Sequence, residues 1–155
     1  MTTELGPSVP ARLRAEIDGD ADGFTILLIT AGDGGWPHVA MISVGELVVV
    51  DDRTLRIATW PGSRTTANLA ATGRATLSAV ADATAFAVRI STHRGDDLTI
   101  PGDPTLACFD AVVDSATADR APYADLETGV RFRLKDPDAV RRRWARTRRA
   151  LVGRA

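Results

Sequence analysis

The chain has 155 residues, 45% of them apolar and 25% charged, and a formal net charge of −1 at pH 7. That is the composition of an ordinary globular protein long enough to bury a core, and near-neutrality removes the electrostatic case for a nucleic-acid or membrane-surface partner. The single cysteine, Cys108, excludes an internal disulfide, and with no basic-then-apolar leader and no apolar run of transmembrane length, a cytoplasmic location is expected.

Residues 7–17 predict a short helix capped by Ser8, with Pro10 in its first turn and Val9, Leu13 and Ile17 on one face. An acidic turn is expected over 19–23. The run FTILLIT, residues 24–30, is continuous and apolar at strand length, so a strand buried on both sides is expected. Gly32-Asp33-Gly34-Gly35 predicts a hairpin turn, which sets residues 37–44 antiparallel to that strand. Val44-Gly45-Glu46 reads as a bulge before the strand resumes over 47–50.

After a turn at Asp51-Asp52-Arg53, residues 55–60 alternate so that Leu55, Ile57 and Thr59 share a face. Pro61-Gly62 breaks the run. A helix then follows over 63–72, with Ser63 or its neighbour as N-cap and Gly73 at the position just after its end. Its first turn carries Ser63, Arg64, Thr65 and Thr66. Helix-start N–H groups lack internal partners and the helix dipole is positive there, so this turn suits a phosphate dianion; from spacing alone it is more often the pattern of an ordinary capped helix with Arg64 solvated.

Residues 74–92 read as one long strand or two joined at Asp82, followed by polar turns at 93–97 and 101–104. Residues 106–119 fit a strand and a helix equally. GVRFRL, residues 129–134, alternates as a strand with Val130, Phe132 and Leu134 inward. Asp136-Pro137 predicts a capped helix over 138–151 whose Val140, Trp144 and Leu151 form a docking stripe beneath a solvated arginine face. The sum is an α+β chain: an antiparallel closed or split β-barrel with a helix between strands and terminal helices, in one domain spanning 1–155.

The succession PHVAMISVGEL, LRIATWPGSRTTANL and RATLSAV resembles the flavin-binding split-barrel family, the pyridoxamine 5′-phosphate oxidase-like proteins, over residues 24–80. The resemblance implies FMN as cofactor, with Ser63, Arg64 and Thr65 on its phosphate. His38, Val39, Ala40 and Met41 would lend backbone contacts to the ring and ribityl chain, with Thr59 and Trp60 beside them. It also implies a small-molecule substrate and a homodimer with sites at the interface, for which segment 83–88 offers an apolar surface. Two departures matter. Thr65 stands where many members carry Lys, and the chain lacks the Arg-Leu-X-Pro-like ending that serves the vitamin B6 substrate, so that oxidation is not expected. Deazaflavin F420 as cofactor, or a non-catalytic flavin or haem binder, are the alternatives.

Other chemistries find little footing. Neither His38 nor His93 has Cys, His or carboxylate neighbours at metal-ligand spacing, so no metal site is expected. Ser63 lacks the G-x-S-x-G setting of a nucleophile elbow, and the WPGSRTTANL turn lacks the Lys of a P-loop.

Overall fold

The structure is a computed structural model that describes residues 1–19 and 23–154. Residues 20–22 of the expected acidic turn lie outside the described residues. The elements run β1 (Thr2–Gly6), α1 (Ala11–Asp18), β2 (Thr25–Ala31), β3 (Pro37–Ser43), a 3-10 turn (Val44–Glu46), β4 (Leu47–Val49), β5 (Thr54–Thr59), α2 (Arg64–Thr72), β6 (Arg74–Ala81), β7 (Thr84–Arg94), β8 (Ala107–Asp119) and α3 (Pro137–Val152).

Every pairing is antiparallel, and the strands follow the order β3-β2-β6-β7-β8-β5-β4. One edge of β8 runs along β7, while the other is divided between β5, which takes residues 107–112, and β1, which takes 116–119. The sheet curls into the split barrel anticipated from the sequence, an α+β fold with α2 between strands and α1 and α3 outside. Its interior is filled by fully buried side chains such as Ile26, Leu28, Ile57, Leu69, Leu77 and Phe109. Each contributes roughly 1.5–3 kcal/mol by leaving water.

Two readings left open by the sequence are settled, and other expectations are corrected. Residues 106–119, undecided in the sequence, form β8: alanine-rich segments favour helix locally, but both edges here are taken up by neighbouring strands, and pairing overrides propensity. Residues 74–92 are two strands, β6 and β7, joined at Asp82 and Ala83, both with positive φ. β7 continues to Arg94, through the start of the expected polar turn.

GVRFRL is not a strand. It makes a single bridge, Arg131 to Phe24, just before the start of β2. Val130 and Phe132 remain exposed, though Phe132 touches the Trp144 ring edge-on, and Leu134 packs on the core half-buried. The expected bulge at Val44-Gly45-Glu46 is a capped 3-10 turn. Glu46 Oε2 accepts from the Ser43 N–H at 2.7 Å and its hydroxyl at 3.0 Å, while Ser43 Oγ accepts from Gly45 N–H at 3.3 Å.

At the N-terminus, β1 has no apolar alternation and was not legible; it exists because β8 offers it an edge. Helix α1 starts at Ala11, one turn later than expected, with Pro10 rather than Ser8 before it and no side-chain cap. Its Leu13 and Ile17 are buried as anticipated, as are Trp144 and Leu151 of α3, whose N-cap is Asp136.

Candidate functional site

The site is built where β5 hands over to α2. Strand alternation turns Leu55, Ile57 and Thr59 into the barrel. The chain then bends, with the Ser63 N–H donating to the Trp60 carbonyl at 3.0 Å, and α2 begins. Ser63 caps it by accepting from the Thr66 N–H at 3.1 Å, and its own hydroxyl donates to Thr66 Oγ1 at 3.1 Å. Thr66 Oγ1 donates to the Trp60 carbonyl at 2.6 Å and lies 2.6 Å from Thr59 Oγ1. Since the single Thr66 hydroxyl proton is spent on Trp60, Thr59 is the donor of that pair.

The first turn therefore divides its labour. The Ser63 hydroxyl is consumed in the cap, the Thr66 hydroxyl in holding the helix to Thr59 and Trp60, and the Thr65 side chain is buried. What stays open is the exposed Arg64 guanidinium, which has no ion-pair partner among the described residues, and the N–H groups of Arg64 and Thr65, which precede the first intrahelical bonds. Thr65 thus offers its backbone rather than its hydroxyl.

The far side of the site is the edge strand β3. His38 and Ala40, half-buried, lie on the inner face with Ile42; Val39 and Met41 lie on the outer face, 54% and 68% exposed. His38 pairs with Thr30 on β2. Asn68, one turn along α2 from Arg64, donates from Nδ2 to Thr30 Oγ1 at 3.0 Å. So the helix that presents Arg64 and Thr65 is pinned to β5 by Thr66 and to the β2–β3 pair by Asn68.

Of the sequence-derived residues, Thr59 turns into the barrel and His38 and Ala40 lie on the inner face of β3, while Ser63, Arg64 and Thr65 form the start of α2, with Arg64 exposed. Trp60, just past the end of β5 and half exposed, borders a narrow cleft together with Thr59, Pro104, Arg143 and Trp144. Thr30 and Asn68 were missed. A polar, poor helix former on the buried Thr65-Asn68-Leu69 stripe was the available signal, because a buried amide requires a partner.

Elsewhere, Cys108 is fully buried and desolvation pushes its thiol pKa up, so it is a packing residue and no nucleophile. Among the described residues no cluster of three or more His, Cys, Asp or Glu is placed to hold a metal, and no helix is long and apolar enough to cross a membrane.

Residues 26–138 match the family described as "Protein of unknown function (DUF447) N-terminal domain". The chain is 36% identical over 121 residues to the uncharacterized protein YclD of Bacillus subtilis (strain 168), covering 78% of each. Among solved structures, an FMN-binding protein from Syntrophomonas wolfei superposes with a TM-score of 0.53 at 18% identity, covering 71% of this chain and 85% of that one. A proposed pyridoxamine 5′-phosphate oxidase from Lactobacillus delbrueckii superposes with a TM-score of 0.57 at 16% identity, over 73% of this chain and 97% of that one. At such identities the superpositions speak for the fold. The chain belongs to the DUF447 N-terminal-domain family, and its fold is the split barrel of the pyridoxamine 5′-phosphate oxidase-like proteins.

Proposed function

We propose that this chain is an FMN-binding oxidoreductase acting on a small-molecule substrate, with the cofactor phosphate at the start of α2. The observation that carries the reading is the first turn of that helix: an unpaired guanidinium and two unpartnered N–H groups, held in place by hydroxyls committed to other bonds. Fixed donors at a helix N-terminus fit a phosphate dianion. The likeness in fold to a protein described as FMN-binding supports the same reading.

When bound, FMN supplies the redox chemistry; the protein binds, orients and shields it. Arg64 and the two N–H groups hold the phosphate. The free edge of β3, at the end of the sheet, leaves alternate backbone N–H and C=O groups of residues 38–41 available for the polar atoms of a flavin. His38 and Ala40 line the inner side, and Thr59 closes the barrel end through Thr66. With Thr65 in place of a second cation, Arg64 carries the charge alone.

The protein works as a homodimer in this reading. The outer sheet face carries Val39 and Met41 beside half-buried Leu27 and Ile29, their cross-strand partners, and continues into the small residues Ser78 and Ala87. Of segment 83–88, Phe86 and Val88 serve the protein's own core and Ala87 faces this surface. A second copy covers that apolar face and shields the flavin from water.

The absorption spectrum of the purified protein tests the cofactor. A flavin band pair with release of FMN on denaturation supports the reading. A Soret band, or a colourless protein that binds F420 but neither flavin, contradicts it.

A further inference from the structure

The hydrogen bond between Asn68 and Thr30 has a geometry that reaches the phosphate cradle. Asn68 is 7% exposed and lies four residues after Arg64, one helical turn along the same side of α2. Thr30, 2% exposed, is the cross-strand partner of His38. The backbone at Gly32 closes against the same amide: a Cβ there would lie 2.4 Å from Asn68 Oδ1. Three elements therefore meet on one side chain: the helix, the strand behind β3 and the turn that leads into it.

The opposite clasp, Thr66 to Thr59 and Trp60, ties the start of α2 to the end of β5, and the bond from the Thr92 N–H to the Gly73 carbonyl ties its far end to β7. The bond from Asn68 runs instead to β2 and so sets the distance between the first turn and β3. We propose that Asn68 is a positioning residue. Through Thr30 it holds the Arg64 and Thr65 donors at the spacing from β3 that lets one ligand touch both, so that phosphate and ring are bound together. This rests on the FMN reading of the site. It predicts that the Asn68–Thr30 bond matters for the phosphate-bearing flavin and little for riboflavin.

The test is the ratio of riboflavin to FMN dissociation constants, read by flavin fluorescence, in wild type, Thr30→Val, Thr30→Ser and Asn68→Ala. Val keeps the shape of Thr30 and deletes the acceptor; Ser keeps the acceptor. Thr30→Val and Asn68→Ala are expected to lower the ratio about three- to tenfold, the factor that one net hydrogen bond supports, with riboflavin affinity nearly unchanged. Thr30→Ser is expected to restore it. A ratio that survives Thr30→Val, or equal losses for both flavins, overturns the proposal.

Amide exchange over residues 64–72 separates this from the cofactor question. If wild type binds neither flavin, the FMN reading fails. Faster exchange in α2 alone in Thr30→Val, reversed in Thr30→Ser, still supports a positioning clasp for whatever ligand the cradle takes. Exchange in α2 that does not differ from wild type overturns the clasp in either case.

Discussion

Gly45 and Trp144 meet face to face: a Cβ on Gly45 would lie 2.1 Å from the Trp144 ring. The absence of a side chain in the 3-10 turn is what lets α3 approach, and Trp144 fills the space at 6% exposure, with Phe132 edge-on at 6.2 Å. Trp144→Ala is expected to cost about 3–5 kcal/mol by opening a cavity, and Gly45→Ala about 1–3 kcal/mol by overpacking. Urea unfolding of the two variants checks both; a silent Trp144→Ala would mean that α3 does not dock through this ring.

On the outer side of the same helix, Arg146 and Arg142 are both exposed, yet they are not equivalent. Arg146 binds Asp103 through two bonds of 2.6 and 2.7 Å, tying the loop before β8 to α3. Arg146→Glu sets a carboxylate against Asp103 and should lower the melting temperature, whereas Arg142→Glu should leave it unchanged. Thermal melts at low and high salt separate the two, since screening softens a like-charge contact.

Two carboxylates give stability opposite pH dependences. The Arg146 hydrogen bonds hold the Asp103 pKa below its ordinary 3.8, so its contribution is present above that value and is lost as pH falls through the folded pKa. Burial raises Glu46 above its ordinary 4.5, with the bonds from Ser43 opposing. Its contribution is complete below 4.5 and is lost as pH rises through the folded value. Glu46→Gln should therefore flatten the decline on the alkaline side of 4.5 while leaving the acid limb from Asp103 in place. Melting temperature against pH for both proteins reads this directly.

How much of this was legible in the sequence follows from which interactions are local. Ser63 as cap, Gly73 at the left-handed position with φ 64°, and the Gly32–Gly35 turn are short-range devices, and each stands where the residues indicate. β1 and β8 were decided by which sheet edges were free, and no local pattern carries that information. The site divided in the same way. Arg64 could be singled out from its position at a helix start, but that Thr66 and Ser63 satisfy each other, and that Trp60 borders a cleft against α3, depends on contacts the local pattern does not carry.

Assembly is tested on the outer sheet face. Met41→Arg and Val39→Glu place charges on the exposed side of the outer sheet face, away from the barrel core. Light scattering should show a dimer for wild type and monomer for the charged variants, with little change in melting of the protomer. A wild-type monomer at micromolar concentration would remove the second copy from the account.

The central claim is that the start of α2 binds a phosphate, and Arg64→Ala tests it most directly when FMN and riboflavin are titrated side by side. A charge-assisted contact is worth roughly 1.5–3 kcal/mol, so FMN affinity should fall about ten- to a hundredfold. Riboflavin, which has no phosphate, should bind the variant nearly as well as the wild type. Equal losses for the two flavins, or an unchanged FMN affinity, would contradict the assignment of Arg64 to the phosphate.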